Sequence, residues 1–256
     1  AGAAAVAAFR RRLDAGAQVH GSRACGLAAA TSDVDLLASV PLLALLPRVR
    51  SGRRGFALLE HVATARVPRL RLRHLRTGLE LDVVEAARDP GALAKDELVR
   101  SWLGLGGEVR AFARAACAWA REHREELPRE EGYPNSFILL LSALWHLRFR
   151  AGAATAPAGL LEGWLGLLAE AAAQPRLLDL RGPACRSPPP GRPWAVVEPV
   201  SGHTVCSLTE PQAKHLAELA AASLQRLRAQ AEPRAGCGGE GPGGELAGPC
   251  KKDGDQ

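Results

Sequence analysis

The sequence predicts an α+β fold, with a small mixed sheet and its helices early in the chain and a mostly helical region after it. Before residue 100, short apolar segments bounded by turn residues are typical of strands. From Asp96 onward, apolar residues recur at helical spacing instead. One such stripe consists of Val109, Phe112, Ala113, Ala116 and Ala120. This change of period predicts a sheet-containing part followed by a helical part.

The individual elements can be assigned in order. A helix is predicted over residues 3–13, which are rich in alanine and place Phe9 and Leu13 four residues apart. Strands are predicted at 31–39, 65–72 and 79–84, and helical or buried segments at 42–46 and 55–61. Later helices are predicted at 109–121, 137–149, 160–173 and 209–228, with a loop at 181–193 and a short apolar stretch at 194–200.

Composition narrows the class of protein. The chain has 256 residues, 47% of them hydrophobic, which supports a folded core and excludes a wholly disordered chain. Its six cysteines show no CxxC and no Cys/His ligand spacing, so neither a disulfide scaffold nor a zinc site is expected, and a reducing compartment fits. No apolar run is long enough to span a membrane, so no membrane partner is expected. The sequence does not indicate which compartment holds the protein.

The net charge of +6 does not by itself indicate nucleic-acid binding. Only four of the 33 basic residues are lysines, and the arginines are spread along the chain, which points to a compositional bias. One group differs, because it places basic side chains along a predicted strand: Arg66, Arg69, Arg71, Arg73 and Arg76. This row is either an RNA-facing surface or a solvated face, and the sequence leaves both open.

Two aspartates form the most informative motif, Ser32-Asp33-Val34-Asp35-Leu36. Residues two apart on a strand point to the same face, so Asp33 and Asp35 should point together while Val34 and Leu36 face the core. Neighbouring carboxylates repel each other, and they become favourable when they share divalent cations such as Mg²⁺ or Mn²⁺. The alternative is structural, because an Asp-x-Asp pair after a serine also occurs at turns and helix starts.

Two further segments extend this motif. Upstream, Gly21 and Ser22 offer a close backbone approach, an N–H group and a hydroxyl, which suit a phosphate. Downstream, Asp82 lies in the apolar strand at 79–84, where a bare carboxylate would be costly to bury and a metal or ion partner is expected. The Gly21-Ser22 turn, the Asp-x-Asp motif and Asp82 together indicate a metal and phosphate site more specifically than any one of them does alone.

The segments Gly21–Leu27 and Ser32–Leu36 resemble the signature of polymerase-β-like nucleotidyltransferases, particularly the terminal uridylyltransferases and their poly(A)-adding relatives. The resemblance covers residues 1–230 in the family's order. It continues through the approach to Asp82, the helix ending Cys117-Ala118-Trp119-Ala120-Arg121, the helix start Asn135-Ser136-Phe137, and a return segment from Val196 to Val205.

The resemblance implies a role for each matching residue. Asp33, Asp35 and Asp82 would hold two metal ions, Mg²⁺ or Mn²⁺, for in-line attack of an RNA 3′-hydroxyl on the α-phosphate of a nucleoside triphosphate. The residues implied to bind the nucleotide are Gly21, Ser22, Arg121 and Ser136 at the phosphates, Phe137 stacking on the base, and His203 favouring uracil. UTP is therefore the favoured nucleotide and an RNA 3′ end the acceptor.

Three positions depart from the family pattern. Cys117 stands where a phosphate-binding lysine is expected, which removes a positive charge from the triphosphate site. Lys95-Asp96 replaces an Asn-Thr or Asn-Ser pair, whose asparagine contacts the ribose in the family. Glu198 replaces an aspartate before Pro199. These departures bear on nucleotide affinity, whereas all three predicted metal carboxylates are present.

The resemblance also implies the domain organisation. A catalytic domain is expected at residues 17–100 and a helical central domain from residues 1–16 and 101–230, with a cleft between them and a disordered tail at 231–256. The expected function is template-independent RNA 3′-terminal uridylyl transfer, with a protein partner as one way to supply RNA specificity. The alternatives are a poly(A)-adding enzyme, a non-catalytic RNA-binding or scaffold subunit, and a relative that makes 2′–5′ oligoadenylate or modifies proteins or small molecules.

Overall fold

The computed structural model describes residues 1–52, 54–65, 67–151, 156–182 and 187–231. Arg66 and nearly all of the predicted tail, residues 232–256, therefore lie outside the described residues. Within the described ranges, no helix combines the length and apolar character needed to cross a membrane.

A five-stranded mixed sheet occupies the first part of the chain. Its strands are β1 (Gln18–His20), β2 (Val34–Ala38), β3 (Phe56–Val62), β4 (Arg69–His74) and β5 (Glu80–Glu85). The strand order is β1-β2-β5-β4-β3, with β2 and β5 parallel and the other pairs antiparallel. Residues 55–61, expected to be helical or buried, instead contribute most of β3, because a short apolar run has no decisive period and pairing with β4 decides its state.

Helices flank this sheet and dominate the rest of the chain. They are α1 (Gly2–Arg12), α2 (Gly21–Ala24), α3 (Leu42–Arg50), α4 (Ala92–Leu103), α5 (Gly107–Glu122), α6 (Ser136–Phe149), α7 (Pro157–Ala169) and α8 (Glu210–Ala231). A second sheet lies among the later helices, formed by β6 (Arg176–Asp179), β7 (Trp194–Val197) and β8 (Thr204–Leu208). The predicted helical part therefore contains a small mixed sheet that the sequence patterns indicated only at residues 194–200.

Two hydrophobic clusters stabilise these parts. The larger one gathers side chains from α5, α6, α7 and α8 with residues of the second sheet. The other lies on the five-stranded sheet and includes α3. Burial of apolar side chains, at about 25 cal/mol per Å², is the main favourable term for both.

Helix α1 belongs to the cluster on the five-stranded sheet. Its buried face includes Ala5 and Phe9, and the Phe9 ring meets the edge of Phe56 at a centroid distance of 5.8 Å. The expectation that residues 1–16 join the helical domain is therefore corrected, because the apolar face of α1 finds its partner surface on β3. The division of the chain at residues 100 and 101 stays a prediction.

Candidate active site

The Asp-x-Asp motif lies at the start of β2. Val34 and Leu36 are completely buried beneath the sheet, as their alternation predicts. Asp35 lies between them on the opposite face and is half-buried, while Asp33, directly before the strand, is exposed. The strand period therefore separates a core face from a carboxylate face.

Asp82 is brought to the same place by the pairing of β2 with β5. The two strands are parallel, and Asp35 and Asp82 are register partners, so both carboxylates lie on one face of the sheet. Leu81 and Val83, on either side of Asp82, are completely buried. On the other neighbouring strand, Arg71 is the register partner of Asp82, and its Nε lies 3.6 Å from Asp82 Oδ1.

The pKa values of Asp35 and Asp82 reflect their burial and the charged groups around them. Burial, followed by the negative charges of Asp82, Asp33 and Asp96, raises the pKa of Asp35 from 3.8 to about 7. Burial also raises the pKa of Asp82, although the guanidinium groups of Arg69 and Arg71 act in the opposite direction. An all-oxygen set of this kind fits a divalent cation, which would relieve the repulsion. In the described ranges, no three acidic, histidine or cysteine side chains are already gathered into a metal-binding cluster.

Gly21 lies directly against Asp35. Its φ of +70° is a left-handed conformation that favours glycine, and a Cβ at this position would be 2.6 Å from Asp35 Oδ2. The conformation and the close approach both require glycine here. The turn that begins with Gly21 and Ser22 is therefore in contact with the carboxylate face of the sheet.

The same glycine also contacts a residue that the sequence did not predict for the site. The Gly21 N–H donates to the carboxylate of Asp96, with N–O distances of 2.9 and 3.0 Å. Asp96 lies on α4 and is only 5% exposed. The available signal was the departure of Lys95-Asp96 from the family pattern, but nothing in the local sequence linked position 96 to position 21.

Arg23 links the Gly21-Ser22 turn to the Asp-x-Asp motif through hydrogen bonds. Its guanidinium donates to the carbonyl oxygens of Ser32 and Asp33, the Nε–O distance to Asp33 being 3.0 Å. The positive charge of Arg23 also acts to lower the pKa of Asp35, against the other influences there. The Gly21-Ser22 turn and the Asp-x-Asp motif are thus held as one unit.

Helix α5 packs beside this unit. Arg114 on α5 donates to the carbonyl oxygen of Gly26 at 3.2 and 3.3 Å. Cys117, one turn later, is 5% exposed within the helical core, and burial raises the pKa of its thiol to about 11. Arg121, the predicted phosphate ligand, is exposed one further turn along the same helix.

The two predicted nucleotide residues at the start of α6 differ in their surroundings. Asn135 caps the helix by accepting a hydrogen bond from the N–H of Ile138 at 3.0 Å, which fixes where the helix begins. Ser136 is exposed in the first turn. Phe137 is half-buried against the helical core, so part of its ring is committed to packing.

His203 lies in the connection between β7 and β8, and its side chain is exposed. Glu198 shapes this connection. Its buried carboxylate accepts hydrogen bonds from the N–H groups of Val200 at 2.7 Å and Ser201 at 3.1 Å. The backbone of Glu198 also pairs with that of His203, whose carbonyl oxygen accepts from the Glu198 N–H at 2.9 Å. Glu198 therefore organises the loop that carries His203.

The predicted sites thus fall into two sets. The structure brings Gly21, Asp33, Asp35 and Asp82 together around the start of β2, with Ser22 directly after Gly21. The second set consists of Arg121, Ser136, Phe137 and His203. Among the described residues, no hydrogen bond or salt bridge joins a member of the second set to an aspartate of the first.

The row of arginines on β4 is paired with acidic residues of the neighbouring strands. Arg71 contacts Glu80 at 2.8 Å and Glu60 at 3.5 Å, and Arg73 contacts Glu80 at 3.0 Å. Arg69 lies 3.9 Å from Glu60. The three described arginines of the strand are therefore ion-paired across the sheet, which weakens the interpretation of this row as a free RNA-binding surface.

Comparison with known proteins places this arrangement in a known fold. No protein-family model and no curated protein sequence matches the chain. Among solved structures, mtPAP in complex with UTP matches with a TM-score of 0.70 and 16% identity, over 86% of this chain and 61% of that chain. A mutant of the Cid1 poly(U) polymerase bound to MgATP matches with a TM-score of 0.71 and 16% identity, over 91% of this chain and 88% of that chain.

The chain has the fold of mtPAP and of the Cid1 poly(U) polymerase. The predicted fold class, a small mixed sheet with helices followed by a mostly helical part, is thereby confirmed. The chain spans about 61% of the length of the mtPAP chain that it matches. At 16% identity the likeness establishes the fold alone, and the chemistry has to be argued from the site itself.

Proposed function

We propose that this chain is a template-independent RNA 3′-terminal nucleotidyltransferase that adds UMP from UTP. The observation that carries the proposal is the placement of Asp35 and Asp82 as register partners, next to Asp33 and in contact with Gly21. Three neighbouring carboxylates beside a turn that carries a serine hydroxyl suit a metal-bound triphosphate better than they suit packing. The solved structures with this fold include mtPAP with UTP and with GTP, and Cid1 poly(U) polymerase with MgATP.

The carboxylates of Asp33, Asp35 and Asp82 would hold Mg²⁺ or Mn²⁺. When bound, these ions would activate the attacking 3′-hydroxyl and offset charge on the leaving pyrophosphate. The protein contributes positioning: Gly21 allows the closest backbone approach because it has no side chain, and Ser22 supplies a hydroxyl to the phosphates. Arg71 and Arg23 steady the carboxylate face through Asp82 and Asp33.

The nucleotide-binding roles of Arg121, Ser136, Phe137 and His203 belong to the same proposal. Arg121 and Ser136 are exposed, as a phosphate contact requires, and Phe137 keeps part of its ring free for a base. His203 is exposed on the loop organised by Glu198, and it is the basis for favouring UTP over ATP. A poly(A)-adding activity is the alternative within the same fold.

The experiment is primer extension with a labelled RNA, Mg²⁺ or Mn²⁺, and each nucleoside triphosphate supplied separately. We expect extension with UTP by the wild type, a loss of at least about a hundredfold for Asp35→Asn and Asp82→Asn, and normal extension by the exposed control Glu122→Gln. If only ATP supports extension, the proposed activity becomes adenylyl transfer and the proposal of uridylyl transfer is wrong. If no nucleotide supports extension while a control polymerase is active in the same assay, the proposed enzymatic function is wrong.

A non-catalytic RNA-binding or scaffold subunit is the second candidate. It is favoured by Cys117, a buried neutral thiol where the family pattern has a cation. Calorimetry with UTP and Mg²⁺ distinguishes the two candidates, since an enzyme must bind its nucleotide. A protein that binds RNA but takes up no UTP at millimolar concentration would support the scaffold.

A further inference from the structure

The Gly21 amide is already hydrogen-bonded to an anion within the protein. The two carboxylate oxygens of Asp96 lie 2.9 and 3.0 Å from Gly21 N, so both share a single hydrogen. The Cys25 thiol lies beside the same carboxylate, with Sγ 3.8 Å from Asp96 Oδ1. A backbone N–H of this kind bonds an oxyanion well, whether the oxyanion belongs to a carboxylate or to a phosphate.

We propose that Asp96 competes with the triphosphate of the nucleotide for the Gly21 amide, and so sets a low intrinsic affinity for nucleotide. The inference rests on the proposed function, in which the Gly21-Ser22 turn binds phosphate. A single N–H gives one strong hydrogen bond, and two anions at the same hydrogen repel each other, so a phosphate that takes this amide displaces the Asp96 carboxylate. Asp96 then sets the affinity for nucleotide and takes no part in the chemical step.

The surrounding charges favour such competition. Asp96 acts electrostatically on Asp35, which places a fourth negative charge beside the carboxylate face. Its repulsion of a triphosphate adds to the loss of a cation at Cys117 on α5. Asp96 and Cys117 therefore both make the region expected to bind the phosphates more negative than it is in the family pattern.

A displaced Asp96 also has a partner available. Arg100 follows Asp96 by four residues on α4, on the same side of the helix, and its positive charge acts to lower the pKa of Asp96. The carboxylate can therefore move from the amide to a guanidinium without being left buried and unpaired. Displacement is thus a small side-chain rearrangement within one helix turn.

The test measures binding of inorganic tripolyphosphate and of UTP to the full chain by calorimetry. Asp96→Asn keeps a side-chain oxygen that can accept from Gly21 but removes the charge, and Asp96→Thr does so with a shorter side chain. We expect both variants to bind tripolyphosphate at least about tenfold more tightly than the wild type, the value of one charge-assisted hydrogen bond. The matched control is Glu97→Gln on the exposed side of α4, expected to stay within about twofold of the wild type because solvent screens its charge.

Equal or weaker binding by Asp96→Asn would overturn the proposal and leave Asp96 as a brace for the turn. If both variants fail to fold, the wild type still provides the test, since tripolyphosphate should shift the NMR resonance of the Gly21 amide. An unmoved resonance at saturation would overturn the proposal as well. Tripolyphosphate contains no base or ribose, so its binding tests this inference separately from the proposed function. Tighter binding by the Asp96 variants, with no RNA extension by the wild type, would reject the proposed function alone. Normal extension by the wild type, with no tighter binding by the variants, would reject this inference alone.

Discussion

Asp35 and Asp82 lie side by side on the parallel strands β2 and β5, as register partners on the face of the sheet opposite its core. Like charges in this arrangement destabilise the folded chain, and the pKa of Asp35 rises to about 7 as a result of burial and of its acidic neighbours. The apolar residues around each aspartate hold the strands in a register that does not allow the carboxylates to separate. The electrostatic repulsion between the two carboxylates is therefore a property of the fold, and it has measurable consequences.

The first consequence is a pH dependence of stability. Because the pKa of Asp35 is raised from 3.8 to about 7, the folded chain binds this proton more tightly than the unfolded chain does. The associated stability is fully present below about pH 4 and is lost as the pH rises through 7. In urea unfolding with a chelator present, the free energy of unfolding of the wild type should fall over this range by about 1–3 kcal/mol more than that of Asp35→Asn. Parallel pH profiles would show that Asp35 titrates normally.

A divalent cation should reverse this destabilisation. We expect Mn²⁺ or Mg²⁺ to raise the thermal unfolding temperature of the wild type at pH 7.5, because the ion binds the folded carboxylates and not the unfolded chain. Asp35→Asn and Asp82→Asn should lose most of that rise, and Glu122→Gln should keep it. An equal rise in the Asp35→Asn/Asp82→Asn double variant would place the cation elsewhere.

Glu198 should be important for stability, although it lies outside the carboxylate face. Its buried carboxylate accepts from the N–H groups of Val200 and Ser201. Glu198→Ala leaves both donors without this partner and should lower the free energy of unfolding by about 2–3 kcal/mol, whereas Glu198→Gln keeps an acceptor and should lower it less. Urea unfolding measures both. A Glu198→Ala variant as stable as the wild type would mean that water replaces the carboxylate without penalty.

Cys117→Lys should have opposite effects on affinity and stability. The side chain at 117 is buried, so a lysine there brings an ammonium group into the helical core and should lower the free energy of unfolding by about 2–4 kcal/mol. The restored charge, at a position that acts electrostatically on Cys25 just after the Gly21-Ser22 turn, should nevertheless tighten UTP binding. Thermal unfolding and calorimetry test the two effects, with Cys117→Ser as the uncharged control. Unchanged stability with unchanged affinity would place the lysine in solvent, away from the site.

The predictable part of the site consists of residues whose spacing is local. Asp33 and Asp35 are separated by one residue of a strand, and the buried positions of Val34 and Leu36 follow from the same alternation. The placement of Asp82 in a strand follows from its own apolar neighbours. The family resemblance implied that Asp82 joins Asp33 and Asp35 at one metal site, but the pairing of the strands and its register come from the structure.

The remaining features depend on contacts between segments far apart in sequence. Asp96 meets Gly21 across 75 residues, and the arginines of β4 meet Glu60 and Glu80 because β3 and β5 are their neighbours. No local pattern encodes such pairs, since each residue taken alone is compatible with a solvated surface.

The sequence by itself determined the carboxylates, the glycine turn and the alternation of strands, because spacing along a strand or turn decides which side chains share a face. Tertiary structure decided the rest. It placed α1 on the five-stranded sheet, ion-paired the arginine row, buried Cys117 and set Asp96 on the Gly21 amide. The physical reason is that burial and pairing depend on which surface each element packs against, and that is a property of the whole chain.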